Sequence, residues 1–406
     1  MSEPALSEFP VDVAIFGGGI AGLWLLNRLL SQGYNAILFE SEALGGQQSV
    51  NSQGMIHGGI KYALGGALTG ASEAIAAMPD HWRRCLRGDG DVDLRGATVL
   101  SEHFYLWSTG GVTSRLTAFL GSRMSRGRVE SVPRPERHPL FRHPDFHGNV
   151  YRLVDLVLDV PSLIRTLAAN CPNRIFAYDA ASLVFERDAA GQLSALRLRS
   201  GDRALKIAAQ RVVLSAGAGN EALLQRLGVS GPAMQRRPLQ QVLVKHDYPH
   251  PLYAHCTGSN PSPRLTISTH ATDDGRWVWY LGGDLATNGV GLAPEALIER
   301  ARAELNELLP WAELGHTEWA TVRLDRAEPR QRGLVKPDKA FAEPAPGCAN
   351  VITAWPTKLT LAPDMADEVQ KQLPPPDPAR ANTLPLEVIS SLPQPPFAQP
   401  CWETLF

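Results

Sequence analysis

Gly17, Gly19 and Gly22 fall in the pattern G-x-G-x-x-G between an apolar run at residues 13–16 and a helical run at residues 23–30. Glu40 closes a second apolar run at residues 36–39. These residue types at this spacing suit a dinucleotide. Gly17 permits a tight turn, Gly19 lets the backbone approach a pyrophosphate, and Gly22 lets helix and strand pack closely. Ile20 and Ala21 then sit at the helix start, where unpaired N–H groups and the positive end of the helix dipole face the phosphates. The Glu40 carboxylate can accept hydrogen bonds from both ribose hydroxyls, with Ser41 beside it, and it would repel the extra phosphate of NADP. The competing reading, a glycine-rich turn that binds nothing, leaves the acid at the end of the second strand unexplained.

Two further side chains have chemistry to offer. His57 follows a glycine-rich passage and has the intrinsic pKa of a general base; its alternative is a histidine hydrogen-bonded within a loop. Lys358 lies between an apolar strand and a helix start. There it is either a cation with a task or a lysine whose head group snorkels to water.

These residues must be positioned by a chain of 406 residues, for which two domains are the expectation. Hydrophobic residues make up 44% and charged residues 20%, as in a globular protein. A net charge of −2 gives no reason to expect nucleic acid or an anionic membrane as a partner. The first ten residues lack the basic and apolar regions of a signal peptide, and no apolar stretch approaches the roughly 20 residues of a membrane span. Five scattered cysteines without C-x-x-C spacing fit a reducing cytoplasm and supply neither a metal nor a redox framework. A cytoplasmic monomer is expected.

Past the first βαβ unit, residues 45–71 are glycine-rich, residues 72–87 read as helix and residues 97–107 as strand. Residues 175–186 and 193–199 form a predicted hairpin, and a short strand at 211–215 runs into a second glycine turn, Ala216-Gly217-Ala218-Gly219. Residues 236–285 alternate as strands do, residues 294–309 read as helix, and a strand at 351–355 precedes a helix from about residue 363. Trp277 and Trp279 fall on one strand face and Tyr280 on the other, the indoles being expected to pack against a helix. The proline-dense residues 373–400 are expected to extend over the surface. Nucleotide-binding elements at both ends and in the middle, interrupted by β-rich segments, imply a discontinuous domain (residues 1–90, 150–235 and 330–375) with an inserted one (91–149 and 236–329). A tail at 376–406 follows.

From residue 11 to about residue 369 the chain resembles the D-amino-acid-oxidase superfamily of FAD-dependent oxidoreductases. The first βαβ unit, the passage RVVLSAGAGN and the passage NVITAWPTKLTLAPDMADEV carry the likeness. The resemblance implies an α/β fold: a Rossmann-like FAD-binding domain with an inserted α+β substrate domain on a mixed, largely antiparallel sheet. Trp355, Pro356 and Lys358 stand where a typical member has glycines.

The same resemblance implies site roles. Gln47, Gln48 and Ser49 would donate to the diphosphate, Ala216 and Gly217 would lie near it, and Leu183 would meet the adenine through its backbone. Thr357, Lys358, Leu359 and Thr360 would face the flavin ring, with Lys358 stabilising its reduced, anionic form. Ile56-His57-Gly58-Gly59-Ile60-Lys61-Tyr62 is similar to the I-H-G-G-[LV]-R-Y passage of glycerol-3-phosphate dehydrogenases, so Lys61 and Tyr62 would line the substrate pocket. Arg323, in WATVRLD, falls where the superfamily carries its substrate-anchoring arginine, or else pairs with Asp325 at the surface.

The expected activity is hydride removal from a small anionic substrate, a hydroxy acid or polyol phosphate, with His57, Arg323 and Lys358 as catalytic candidates. Electrons would pass to dioxygen, a quinone or a carrier protein. A glycine- or sarcosine-type amine oxidase and a non-catalytic flavin-binding protein are the alternatives.

Overall fold

A computed structural model describes residues 7–59, 70–109, 129–258, 262–332, 337, 339–380 and 385–406. Lys61 and Tyr62 lie outside the described residues.

The strand Ser7–Phe16 sits at the centre of a sheet, flanked in parallel by Ala36–Glu40 and Arg203–Leu214. Ile175–Ala177 extends the sheet beyond Ala36–Glu40, and Cys348–Trp355 pairs in parallel with residues 212–214. Near-continuous apolar runs such as Ala36–Phe39 are the signature of strands covered on both faces. One face packs on the helices Ile20–Ser31, Val160–Ala169 and Ala362–Gln370, through Leu23, Leu26, Leu163 and Met365. The other face packs on the helix Asn220–Leu227 and on the antiparallel strands Asp179–Arg187 and Leu193–Ser200.

A second sheet is antiparallel except where Phe104–Trp107 and Ala254–Thr257 run parallel. Its longest pairing joins Met234–His246 to Glu318–Pro329. Trp279 is buried in one apolar cluster with Leu297, Ala301 and Leu305 of the helix Pro294–Leu308. Tyr280 faces the opposite side, beside Cys401 and Trp402. Val150–Leu153 belongs to this second sheet, just inside the segment that the sequence assigned to the nucleotide domain. A small sheet of Met55–Ile56, Leu156–Leu158 and Val99–Ser101 completes the strands.

Most described residues of the tail are exposed or half-buried, and the segment is fastened at several points. Arg380 donates to the carbonyls of Val11 and Ala208 at 2.9 and 2.8 Å, and Ile389, Leu392, Cys401 and Trp402 are buried. Proline density signalled extended chain, but nothing in such a stretch reveals which apolar residues will find a core.

Candidate functional site

Between the two large sheets lies a cleft of about 510 Å³. It runs from Glu40 and Ser41, past Gly17, Gly19, Ile20, Ala21 and Ser49, to Gly217, His57 and residues 355–360. The glycines behave as their spacing requires. Gly17 has φ +110°, and a Cβ there would meet the Ala216 backbone at 2.6 Å. A Cβ on Gly22 would stand 2.0 Å from the Gly17 carbonyl oxygen, so only glycine lets helix and turn approach this closely. Gly19 is the N-cap of the helix, and no side chain caps it.

Glu40 is oriented by main-chain donors, its two carboxylate oxygens accepting from Gly18 N–H at 2.6 Å and Glu42 N–H at 2.8 Å. Ser49 Oγ accepts from Ile20 N–H at 3.1 Å, which ties the loop after the second strand to the helix start. Gln47, exposed and at φ +55°, and Gln48 complete that wall. On the other side the Trp355 indole donates to the Gly217 carbonyl at 2.9 Å. Where glycines were expected, a buried tryptophan fastens the last strand to the second glycine turn.

Beyond the cofactor turns the cleft meets His57. Its Nδ1 lies 3.3 Å from Asp155 Oδ2, and the other carboxylate oxygen accepts from Gly58 N–H at 2.8 Å. Both residues are buried. Thr360 Oγ1 accepts from His57 N–H at 3.0 Å and donates to the Met55 carbonyl, so Thr360 holds the histidine loop in place. Lys358 borders the cleft with Nζ donating to the Pro337 carbonyl at 3.0 Å, and Thr357 before it has φ +60°. Leu359 is half-buried beside them.

Two sequence expectations are corrected here. Arg323 does not reach the cleft. It is opposite Gln240 in the strand pair, 58% exposed, and 3.5 Å from Asp325. Strand alternation is the cause: Leu324 and Arg326 line the cleft, and Arg323 and Asp325 alternate with them onto the other face. The cleft face instead carries Arg326 and, directly opposite it, Arg237. Arg237 is held by Glu328 through bonds of 2.8 and 3.1 Å. Leu183 is also displaced. It is buried in the core, its carbonyl accepts from Arg226 at 2.9 Å, and it does not line the cleft. A neighbouring cavity of about 430 Å³ shares Ser41, Ala216 and Gly219 with the cleft and is lined by Tyr178, Ala180 and Arg226.

Asp155, Arg237 and Arg326 escaped the sequence reading. Parity could have found Arg326, because Val322 and Leu324 are apolar whereas Arg323 and Asp325 are charged. Nothing local marks Asp155, almost a hundred residues from His57. Elsewhere His81, Cys85 and Asp91 cluster, but Asp91 is already paired with Arg28 at 2.5 Å and His81 at 2.6 Å. Burial pushes the Cys85 thiol up to about 12. That knot, joined by an Arg28–Asp367 pair, anchors the first helix rather than offering an open metal site.

The donor set fits FAD: a turn that tolerates no Cβ, a helix start whose N-cap is a glycine, an oriented carboxylate at one end and a histidine at the other. The family described as FAD dependent oxidoreductase (DAO) matches residues 12–390. A probable FAD-dependent oxidoreductase of Pseudomonas aeruginosa is 52% identical over 399 residues, covering 97% of this chain and 98% of that protein. The crystal structure of the Pseudomonas aeruginosa FAD-dependent oxidoreductase matches with TM-score 0.83 at 46% identity over the whole of both chains. Glycine oxidase from Geobacillus kaustophilus shares the fold, with TM-score 0.62 at 18% identity over 94% of this chain and 98% of its own. So does glycerol-3-phosphate dehydrogenase from Bacillus halodurans complexed with FAD, with TM-score 0.54 at 15% identity over 90% of this chain and 64% of its own. No helix among the described residues is long and apolar enough to cross a membrane. The chain belongs to the DAO family of FAD-dependent oxidoreductases, and FAD is its cofactor.

Proposed function

We propose that the protein oxidises a small anionic hydroxy compound, a hydroxy acid or a polyol phosphate, at the carbon bearing the hydroxyl. The observation that carries this reading is the His57–Asp155 pair at the cleft wall. Hydride loss from a carbinol carbon leaves the hydroxyl proton for a base to take, whereas a neutral amine goes to an iminium with no proton to give up in that step. A carboxylate at Nδ1 fixes that nitrogen as the donor and leaves Nε2 to accept.

FAD, when bound, takes the hydride from the substrate C–H bond. His57 Nε2 takes the hydroxyl proton, and Asp155 stabilises the imidazolium that results. The Arg326 guanidinium, with five N–H donors in a planar fork, holds the substrate carboxylate or phosphate. Arg237 stiffens that face, its own charge offset by Glu328. Lys358, which borders the cleft, would supply positive charge to stabilise a reduced, anionic flavin. Electrons leave to an acceptor that is dioxygen, a quinone or a carrier protein.

Anaerobic reduction of the purified holoprotein by 2-hydroxy acids, polyol phosphates and amino acids, one at a time, tests the reading. Loss of the visible flavin band with a hydroxy anion supports it. Loss with amino acids alone transfers the protein to the amine oxidases.

A further inference from the structure

The cofactor loop, residues 41–54, supplies eleven cleft-lining residues that include Gln47, Ser49 and Asn51, yet it has little regular structure of its own. Gly45 N–H bonds the Gly18 carbonyl at 2.9 Å and Gln53 the Tyr280 carbonyl at 2.8 Å, and residues 393–406 hold the loop's outer side. The Leu44 N–H donates to the Pro396 carbonyl at 2.8 Å, and the Leu44 carbonyl accepts from Ala398 N–H at 2.9 Å, an isolated bridge centred on Phe397. Cys401 N–H donates to Asn51 Oδ1 at 2.9 Å, and Tyr280 donates its hydroxyl to the Asn51 carbonyl at 3.1 Å.

The same segment grips both sheets. Upstream, Ala177 N–H donates to the Pro393 carbonyl at 2.8 Å at the edge of the nucleotide-domain sheet. Downstream, the Trp402 ring, 3% exposed, stacks on His270 with centroids 3.9 Å apart and planes inclined at 19°. Glu403 accepts from Asp273 N–H at 3.2 Å. Prolines at 393, 395, 396 and 400 restrict the segment before it docks, which lowers the entropy lost on ordering it.

We propose that residues 393–406 are a strap that clamps the cofactor loop against both sheets and thereby sets how slowly FAD leaves the cleft. The loop is one wall of the cofactor's exit. Its opening requires the bridge at Leu44 and the bond to Asn51 to break, and both belong to the strap. Local opening of this kind governs release when the rest of the fold stays closed. The inference goes beyond the proposed activity and needs no substrate.

The test uses holoprotein of the full chain, a chain ending at Leu392, and the single variants Trp402→Ala and Ala398→Pro, the latter removing the N–H that bonds the Leu44 carbonyl. FAD release is followed as the rise in flavin fluorescence after dilution, and thermal unfolding of each apoprotein is recorded beside it. A Leu297→Ala protein, altered in the core of the second sheet, serves as the destabilised control. The strap predicts release roughly ten-fold faster or more in the tail variants, with the control near the parental rate. If the truncated chain does not fold, the two single variants decide. Parental release in folded tail variants, or equally fast release in the Leu297→Ala control, overturns the proposal.

Discussion

Arg326 stands directly opposite Arg237 on the cleft face of the longest strand pair in the molecule, and the Arg326 Nε donates to the Arg237 carbonyl at 3.2 Å. Arg237 is committed to Glu328, which is 1% exposed. Both arginines line the cleft, and Arg326 is the one whose bond within the pair runs to main chain. Arg326→Leu is expected to lower kcat/KM by about 10- to 100-fold, the value of a charged hydrogen bond or two. Arg323→Leu, on the opposite face, is expected to leave kcat/KM unchanged, as steady-state kinetics with the substrate found by flavin reduction will check.

His57→Gln removes the base but keeps a side chain of similar reach, and the rate of flavin reduction is expected to fall roughly 100-fold or more. Asp155→Asn leaves the imidazole without a carboxylate at Nδ1. Its expected signature is a displaced acid limb in the pH–rate profile with FAD still bound. An unchanged profile in Asp155→Asn would reduce Asp155 to a loop fastener through its bond to Gly58.

Gly22→Ala puts a methyl group 2.0 Å from the Gly17 carbonyl, and main chain has no rotamer with which to give way. The helix must shift, at a cost of about 1–3 kcal/mol, and the phosphate turn shifts with it. The variant is expected to purify colourless or nearly so, a result read from its visible spectrum.

Acid should loosen the fold through two buried histidines. Burial pushes His246 down from 6.5 to about 4 and His270 from 6.5 to about 3. Below pH 6.5 the unfolded chain binds protons that the folded chain refuses, so stability falls as pH drops from there to about 4. Each pH unit of such displacement is worth about 1.4 kcal/mol per group. Thermal unfolding of the apoprotein between neutral and mildly acid pH should show the midpoint falling, and His270→Phe should flatten the fall. A midpoint independent of pH in the parental protein would contradict this.

The cofactor half of the site was legible because its determinants are contiguous. Gly17 to Glu40 make one supersecondary unit whose spacing is dictated by the phosphate it approaches. The second glycine turn at Ala216 was legible for the same reason, as a strand that runs into a helix. The substrate half was not, because its parts come together only through sheet register. Arg323 and Arg326 differ by three positions, and an odd number of positions along a strand reverses the face. The family pattern alone pointed to the former, whereas the apolar Leu324 fixes the parity. Asp155 comes from the short connection between the strands Val150–Leu153 and Leu156–Leu158, and Trp402 finds His270 across 132 positions of chain; no local pattern encodes either meeting. Trp355 shows the converse, a departure from family pattern that the structure turns into a brace between two turns.

On the function proposed above, a hydroxy anion held at Arg326 and deprotonated at His57 reduces the flavin. The decisive experiment mixes the holoprotein anaerobically with matched pairs, such as a 2-hydroxy acid and its amino-acid counterpart, while the visible flavin band is recorded. Rapid bleaching by the hydroxy acid or by a polyol phosphate is expected, slowed in both Arg326→Leu and His57→Gln. Bleaching by the amino acid alone, or by an uncharged alcohol at an equal rate, would contradict it.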